Sequence, residues 1–371
     1  MLRHRGGVLL MLGAVLIALT LGVAYANGAN DVSKGIATLV GSGVSDYRRA
    51  VLWGTMWTVA GGVAAAFASR GLVAVFSGKG LLAVDPTGPA FLMAIAAGVI
   101  AWLALATRTA MPVSTTHALI GGLVGAGIAA QGVAGVQWAA VATTTAIPLA
   151  VSPLVALALM IGSYPLIGRA FRRFNRYCVC VEREEPVVVT AGSAAALTGG
   201  SSLRVLAGAD CPSAVVARVN AMDSMHWLTA GATSFCRGLN DTPKILALGV
   251  LAAAGTGVAI EWLFVLVAVA MGAGSYAAGR RVTETLAGKV TRIAHDDGFA
   301  ANLVTSALVG LASVYALSVS TTHVSTGAIT GVGVRKSDVR WRMVRDMVLA
   351  WVVTLPVAGL VAGGAYVLLT Q

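Results

Sequence analysis

Two short acidic motifs pose the sharpest chemical question in this chain. Asn30-Asp31 leads into Val-Ser-Lys34 and Asn240-Asp241 into Thr-Pro-Lys244, each preceded by a glycine, Gly28 or Gly238, and each set in apolar sequence. An ionised carboxylate at the centre of a membrane helix costs at least about 2.5–3.5 kcal/mol on insertion scales, so such a residue implies a function. Simple pairing with Lys34 or Lys244, three residues along and on the same helix face, is the structural alternative. Pairing alone does not explain why the same costly arrangement occurs twice. Glycine, asparagine and, in the second copy, Pro243 all disfavour an uninterrupted helix, so a break is expected at each motif. Backbone carbonyls freed there, with Asn30, Asp31, Asn240 and Asp241, would suit a small coupling cation, and sodium is the metal they could hold. Lys34, Lys244 and the amides of a half-helix start would suit an anion.

A second duplicated motif supplies the complement. Val-Ser-Thr-Thr-His occurs at 113–117 and again at 319–323. Ser114, Thr115 and Thr116, like Ser320, Thr321 and Thr322, place three adjacent hydroxyls at a helix start, where they can cap the helix and donate to the oxygens of an oxyanion. His117 and His323 are expected either to make hydrogen bonds behind that site or to carry protons.

Membrane helices must position these groups. Of 371 residues, 57% are hydrophobic and only 11% charged, against roughly 25% charged in soluble domains. Apolar stretches of about 20 residues, the length a bilayer core of about 30 Å demands, recur throughout. About ten are predicted, near 8–26, 50–69, 90–107, 113–130, 138–162, 223–250, 259–279, 298–316, 318–334 and 346–369. If the Ser-Thr-Thr-His segments are hairpins that enter and leave on one side, the count rises to about twelve. The first stretch is not read as a signal peptide, because it is long, lacks a cleavage box and runs directly into the Asn-Asp motif. Although the net charge is +11, the basic residues cluster beside apolar segments. That fits cytoplasmic membrane flanks and no nucleic-acid partner. Cys178, Cys180, Cys211 and Cys236 show neither a disulfide framework nor zinc-ligand spacing.

The duplication extends beyond the motifs. Gly121, Gly125 and Gly127 keep register with Gly327, Gly331 and Gly333. Residues 1–168 form a first transmembrane repeat and 222–371 a second, joined by a linker over 169–221. The linker opens with Arg169, Arg172, Arg173 and Arg176, which assigns it to the cytoplasm. Five spans per half then require the halves to face opposite ways. Loop charges agree. Arg48 and Arg49 follow the first Asn-Asp motif, whereas the matching loop around Thr256 carries no base. Gln131 to Gln137 is uncharged, whereas Arg335, Lys336, Arg340, Arg342 and Arg345 follow the second Ser-Thr-Thr-His. Both termini are then external, which leaves Arg3 and Arg5 on the disfavoured side. The expected fold is an all-α polytopic membrane protein of two inverted-topology repeats, with broken helices at the midplane.

Asn-Gly-Ala-Asn-Asp-Val at 27–32, Gly-Leu-Asn-Asp-Thr at 238–242, Pro-Val-Ser-Thr-Thr-His at 112–117 and Val-Ser-Thr-Thr-His at 319–323 resemble the signatures of the inorganic phosphate transporter (PiT) family. The resemblance spans both halves. It implies phosphate import by cation symport, driven by sodium or protons, through alternating access in the cell membrane, in a chain that is not an enzyme and takes no cofactor. It also implies a homodimer. The substrate is expected to be inorganic phosphate, with sulfate, another tetrahedral dianion, as the alternative within the family. Lys34 and Lys244 stand where the family pattern carries asparagine. Two aspartates and two lysines sum to zero, so a dianion leaves a charge of about minus two for cations to neutralise. Ammonium groups at 34 and 244 would therefore replace part of the bound cation complement. An intramembrane aspartic protease also uses paired aspartates, but neighbouring lysines would hold both ionised. A channel would not accumulate substrate against its gradient.

Overall fold

The computed structural model describes residues 2–84, 88–171, 177–183, 187–191, 194–198, 201–207 and 215–371. In the first half, α1 (Leu2–Asp31), α2 (Ser33–Gly41), α3 (Tyr47–Ala68), α4 (Gly71–Phe76) and α5 (Pro89–Arg108) precede α6 (Thr115–Gln131), α7 (Trp138–Val141) and α8 (Ile147–Phe171). Five short strands follow, β1 (Tyr177–Arg183), β2 (Val187–Ala191), β3 (Ala194–Thr198), β4 (Ser201–Ala207) and β5 (Val215–Asn220). They pair as an antiparallel sheet in the order β4-β1-β5 and a separate β2-β3 ladder. In the second half come α9 (Ala221–Leu246), α10 (Val250–Thr256), α11 (Ile260–Ala278), α12 (Arg280–Gly288), α13 (His295–Val314), α14 (Thr321–Lys336) and α15 (Trp341–Thr370). Among the described residues the membrane body is therefore all-α, and strands fall in the segment read from sequence as a linker. Arg172, Arg173, Arg176 and Cys211 lie outside the described residues.

Each predicted apolar stretch falls on a helix, but not every such helix is a full span. Among the described residues, seven stretches are long and apolar enough to cross a membrane: Leu10–Gly41, Tyr47–Ala68, Pro89–Arg108, Trp138–Phe171, Ile260–Ala278, His295–Val314 and Trp341–Thr370. The other three predicted spans are α6, α14 and α9. With 17 and 16 residues, α6 and α14 fall short of a bilayer core of about 30 Å at about 1.5 Å per residue. The third, α9, is long enough but carries Asp223, Arg237, Asp241 and Lys244.

One of the two expected helix breaks is present. At the first Asn-Asp motif α1 ends at Asp31 and α2 starts at Ser33, separated only by Val32, itself in helical backbone conformation. The second lies inside α9, which continues through Pro243 to Leu246. Proline removes the hydrogen bond to the carbonyl four residues earlier. That carbonyl, on Leu239, instead accepts from the Ser69 hydroxyl at 2.7 Å, so the helix survives. The extended interruptions fall just before Ser-Thr-Thr, between α5 and α6 and between α13 and α14. Both preceding helices end alike. Ala110 and Ala316 take φ of 59° and 53°, and the next amides, of Met111 and Leu317, each bond back at 2.8 Å to Ala106 and Ala312 carbonyls. This is the left-handed cap that ends a helix sharply.

Packing crosses between the halves. A Cβ at Gly28 of α1 would lie 2.0 Å from the Met271 carbonyl oxygen of α11, and one at Gly238 of α9 would lie 2.2 Å from that of Thr58 in α3. Each Asn-Asp helix thus packs backbone to backbone on a helix of the other half. Ser-Thr-Thr helices do likewise: Gly121 of α6 faces the Leu355 carbonyl of α15, and Gly327 of α14 faces that of Pro153 in α8. We expect Gly238→Ala to lower the thermal stability of the detergent-solubilised protein by roughly 1–3 kcal/mol. Gly162→Ala, where a Cβ meets open space, should leave it unchanged. Equal melting of the two variants would contradict the close crossing of α3 and α9.

Candidate functional site

The four motifs converge. The Asn27 side-chain amide lies 3.1 Å from Asp31 Oδ2, 3.2 Å from Asp241 Oδ2 and 2.9 Å from Thr115 Oγ1. A single amide nitrogen therefore bridges carboxylates contributed by the two halves, and Thr115 Oγ1 itself approaches Asp31 Oδ2 at 3.4 Å. On α9, Asn240 Nδ2 donates to Asp241 Oδ1 at 2.9 Å and reaches Thr321 Oγ1 at 3.3 Å. Asp31 and Asp241 are 2% and 3% exposed, and Lys34 and Lys244 are 0% and 1% exposed. The cluster is therefore closed off from both faces of the molecule.

The lysines hold different posts. Lys34 Nζ stays in its own half, 2.7 Å from Asp31 Oδ1, 2.9 Å from the Asn30 carbonyl and 3.1 Å from Asn30 Oδ1. Lys244 Nζ is 3.9 Å from Asp241 Oδ1 and reaches across to the broken segments, donating to the Val319 carbonyl at 2.6 Å and Thr116 Oγ1 at 3.1 Å. Two matching motifs thus hold an unequal pair of lysines. One ammonium is tied to its aspartate, while the other is shared with hydroxyl and carbonyl groups at the helix starts.

The hydroxyls divide their work. Ser114 Oγ and Ser320 Oγ accept from the His117 and His323 amides at 3.2 and 3.4 Å, so both serines are N-caps. The threonines reach across the gap: Thr322 Oγ1 donates to the Val113 carbonyl at 2.9 Å, and Thr116 Oγ1 approaches that of Val319 at 3.5 Å. Two helix N-termini, each carrying the partial positive charge of its free amides, start side by side at the carboxylate cluster. His117 and His323 stand behind them with ring centroids 4.5 Å apart. His323 Nδ1 lies 2.9 Å from the Leu149 carbonyl. Both rings line an apolar cavity of about 1080 Å³ between α6, α8 and α15. They back the helix starts and make no hydrogen bond to Asp31 or Asp241.

A model of the phosphate transporter family matches residues 27–362. The chain belongs to that family. A protein of Mycobacterium bovis named as a probable low-affinity inorganic phosphate transporter is 32% identical over 96% of this chain and 77% of its own length. One of the same name from Bacillus subtilis is 25% identical over 98% of this chain and 99% of its own. A solved structure titled the sodium-dependent phosphate transporter shares the fold, with a TM-score of 0.77 at 22% identity over 97% of this chain and 99% of that one. These relatives are transporters and not enzymes. Family membership and seven apolar helices make this an integral membrane protein.

Two residues at the site escape a reading of the sequence. Asn27 belongs to a motif, yet nothing in its spacing shows that its amide would meet a carboxylate 214 positions away. Arg237 lies in no repeated motif, but it occupies in α9 the position Asn27 occupies in α1, three residues before the asparagine of Asn-Asp. Its side chain is fully buried, with Nη2 donating to Thr58 Oγ1 at 2.7 Å and Ser275 Oγ at 3.1 Å. A four-residue spacing from Asp241 was the available signal.

Breaking the direct pairing of a buried carboxylate, such as the 2.7 Å contact between Asp31 and Lys34, costs about 3–5 kcal/mol. Lys34→Met should destabilise the purified protein on that scale, and adding Asp31→Asn to it should recover much of the loss. If the double variant melts no higher than Lys34→Met alone, the pairing energy assigned here is wrong.

Proposed function

We propose that this protein imports inorganic phosphate across the cell membrane together with a cation, sodium or proton, by alternating access. One observation carries the proposal: buried carboxylates from the two halves are bridged by one amide, beside two lysines and two helix N-termini. Carboxylates suit a coupling cation, while ammonium groups, threonine hydroxyls and helix amides suit a tetrahedral oxyanion. Asn30, Asp31, Asn240 and Asp241 would handle the cation. Thr115, Thr116, Thr321, Lys34 and Lys244 would handle phosphate, with Ser114, Ser320 and Thr322 holding the helix starts and Thr322 joining them across the gap. His117 and His323, behind those starts, would support them.

The reciprocal packing supports a reading of the halves as inverted repeats, with the connecting segment cytoplasmic and both termini outside. Each half lends its Asn-Asp helix to a partner in the other. A shift of one packed layer against the next would then open the sealed cluster to one side at a time. The homodimer implied by the family resemblance is the expected assembly.

Burial in a low-dielectric site demands near-neutrality. Lys34 and Lys244 contribute positive charge that bound cations would otherwise supply, so the number of coupling cations should be lower than in an asparagine variant. The solved relative's title names sodium; lysine at both positions favours a smaller sodium requirement or protons.

Reconstituted protein should accumulate labelled phosphate under an imposed sodium or proton gradient, and the effective gradient identifies the ion. Accumulation of sulfate but not phosphate would reassign the substrate. Asp31→Asn and Asp241→Asn should each lower uptake at least tenfold without losing cooperative melting; normal uptake by either variant would refute the site. Lys34→Asn combined with Lys244→Asn should raise the cation stoichiometry, and an unchanged stoichiometry would refute the role given to the lysines.

A further inference from the structure

Arg237 takes no part in the hydrogen bonds of the carboxylate cluster, and its own donors are incompletely used. Its guanidinium is 0% exposed, yet among the described residues its side-chain hydrogen bonds run from Nη2 to two neutral hydroxyls, of Thr58 and Ser275. Nε and Nη1 have no partner. A guanidinium stays protonated in proteins, so a permanent charge with three unused N–H donors is buried between α3, α9 and α11. Among the described residues no carboxylate pairs with it directly. Asp241 lies one turn along α9, and Ser275 Oγ, which takes Nη2, lies 3.2 Å from the Gly28 carbonyl, next in the chain to the Asn27 that bridges Asp241 and Asp31.

The arithmetic of the site changes with it. Lys34 and Lys244 alone balance the two aspartates, so the empty cluster would be neutral. Arg237 adds a third fixed positive charge against two negative ones, and the empty cluster is then positive by one. A net buried charge is costly and is relieved by an ion of opposite sign. We propose that Arg237 is a third fixed counter-ion of the carrier site and takes the place of one coupling cation for every anion bound. This rests on the phosphate-carrier reading and deepens it. The position makes sense in the duplicated framework. The first half fills it with an amide that joins the two carboxylates, and the second fills it with a charge that offsets them. Thr58 and Ser275 hold the guanidinium on the helix layer shared by both halves, so it acts on the carboxylates through space and needs no contact with the anion.

The test counts cations. Inorganic phosphate should raise the melting temperature of the purified full-length protein. The slope of log apparent phosphate affinity against log coupling-cation concentration, below saturation, gives the cations taken up with each anion. Arg237→Gln should increase that slope by one, and Arg237→Lys should keep the wild-type slope. Ser275→Asp leaves the arginine in place but sets a carboxylate against Nη2, and it should also increase the slope by one. If Arg237→Gln does not fold, Ser275→Asp and Arg237→Lys decide the matter. A purely structural role would lower stability without moving the slope, and an unchanged slope in Arg237→Gln or in Ser275→Asp overturns the proposal. Absence of any phosphate-dependent stabilisation in the wild-type protein would instead overturn the phosphate-carrier reading and this inference with it.

Discussion

An ionised carboxylate in the interior of a membrane protein must be answered by nearby positive charge or by hydrogen-bond donors, because hydrocarbon supplies neither. Two such carboxylates within reach of one amide make the demand acute. Much of the architecture can be understood as meeting it. The ammonium of Lys34 answers Asp31 directly, Asn27 and Asn240 supply amide donors, and two helix starts turn their unpaired N–H groups toward the same region. On the reading proposed above, the donors that make two buried aspartates tolerable are also the groups an anion would use, so stability and binding would draw on one set of groups.

The donors come from both ends of the chain, and backbone contact is what delivers them. Side chains at the crossings of α1 with α11 and of α9 with α3 would hold the helices apart, so glycine carries each Asn-Asp helix close to its neighbour. The interrupted segments before α6 and α14 then end their preceding helices with the same left-handed alanine, which aims both Ser-Thr-Thr starts at the cluster. Duplication explains the correspondence of these devices, and small local differences explain why the product is unequal. Pro243 and Lys244 give the second half a lysine that reaches Val319 and Thr116, whereas Lys34 remains with Asn30 and Asp31.

Sequence revealed what repetition and hydropathy can reveal. Asp31 and Asp241, the two Ser-Thr-Thr-His motifs and the apolar helices were all legible, because each is a strong local departure or occurs twice. Helix breaks were legible at Asp31 but not at Asp241. Pro243 argues for a break at Asp241, yet the hydroxyl of Ser69, 170 residues away, satisfies the orphaned carbonyl and the helix continues. Ser114 and Ser320, which the sequence allows both as helix caps and as donors to an oxyanion, are seen as caps, accepting from the His117 and His323 amides. Asn27 and Arg237 stayed hidden because their roles depend on partners brought by other helices. The strands within 177–220 were hidden as well, in a stretch whose composition suggested only a linker.

Reciprocal crossing has a bearing on how such a chain could have arisen. Gly28 and Gly121 are shaped to meet carbonyls that their own half does not provide, and Gly238 and Gly327 have the same deficiency in reverse. If the two halves descend from one repeat, that repeat could have met such carbonyls only in a second copy of itself.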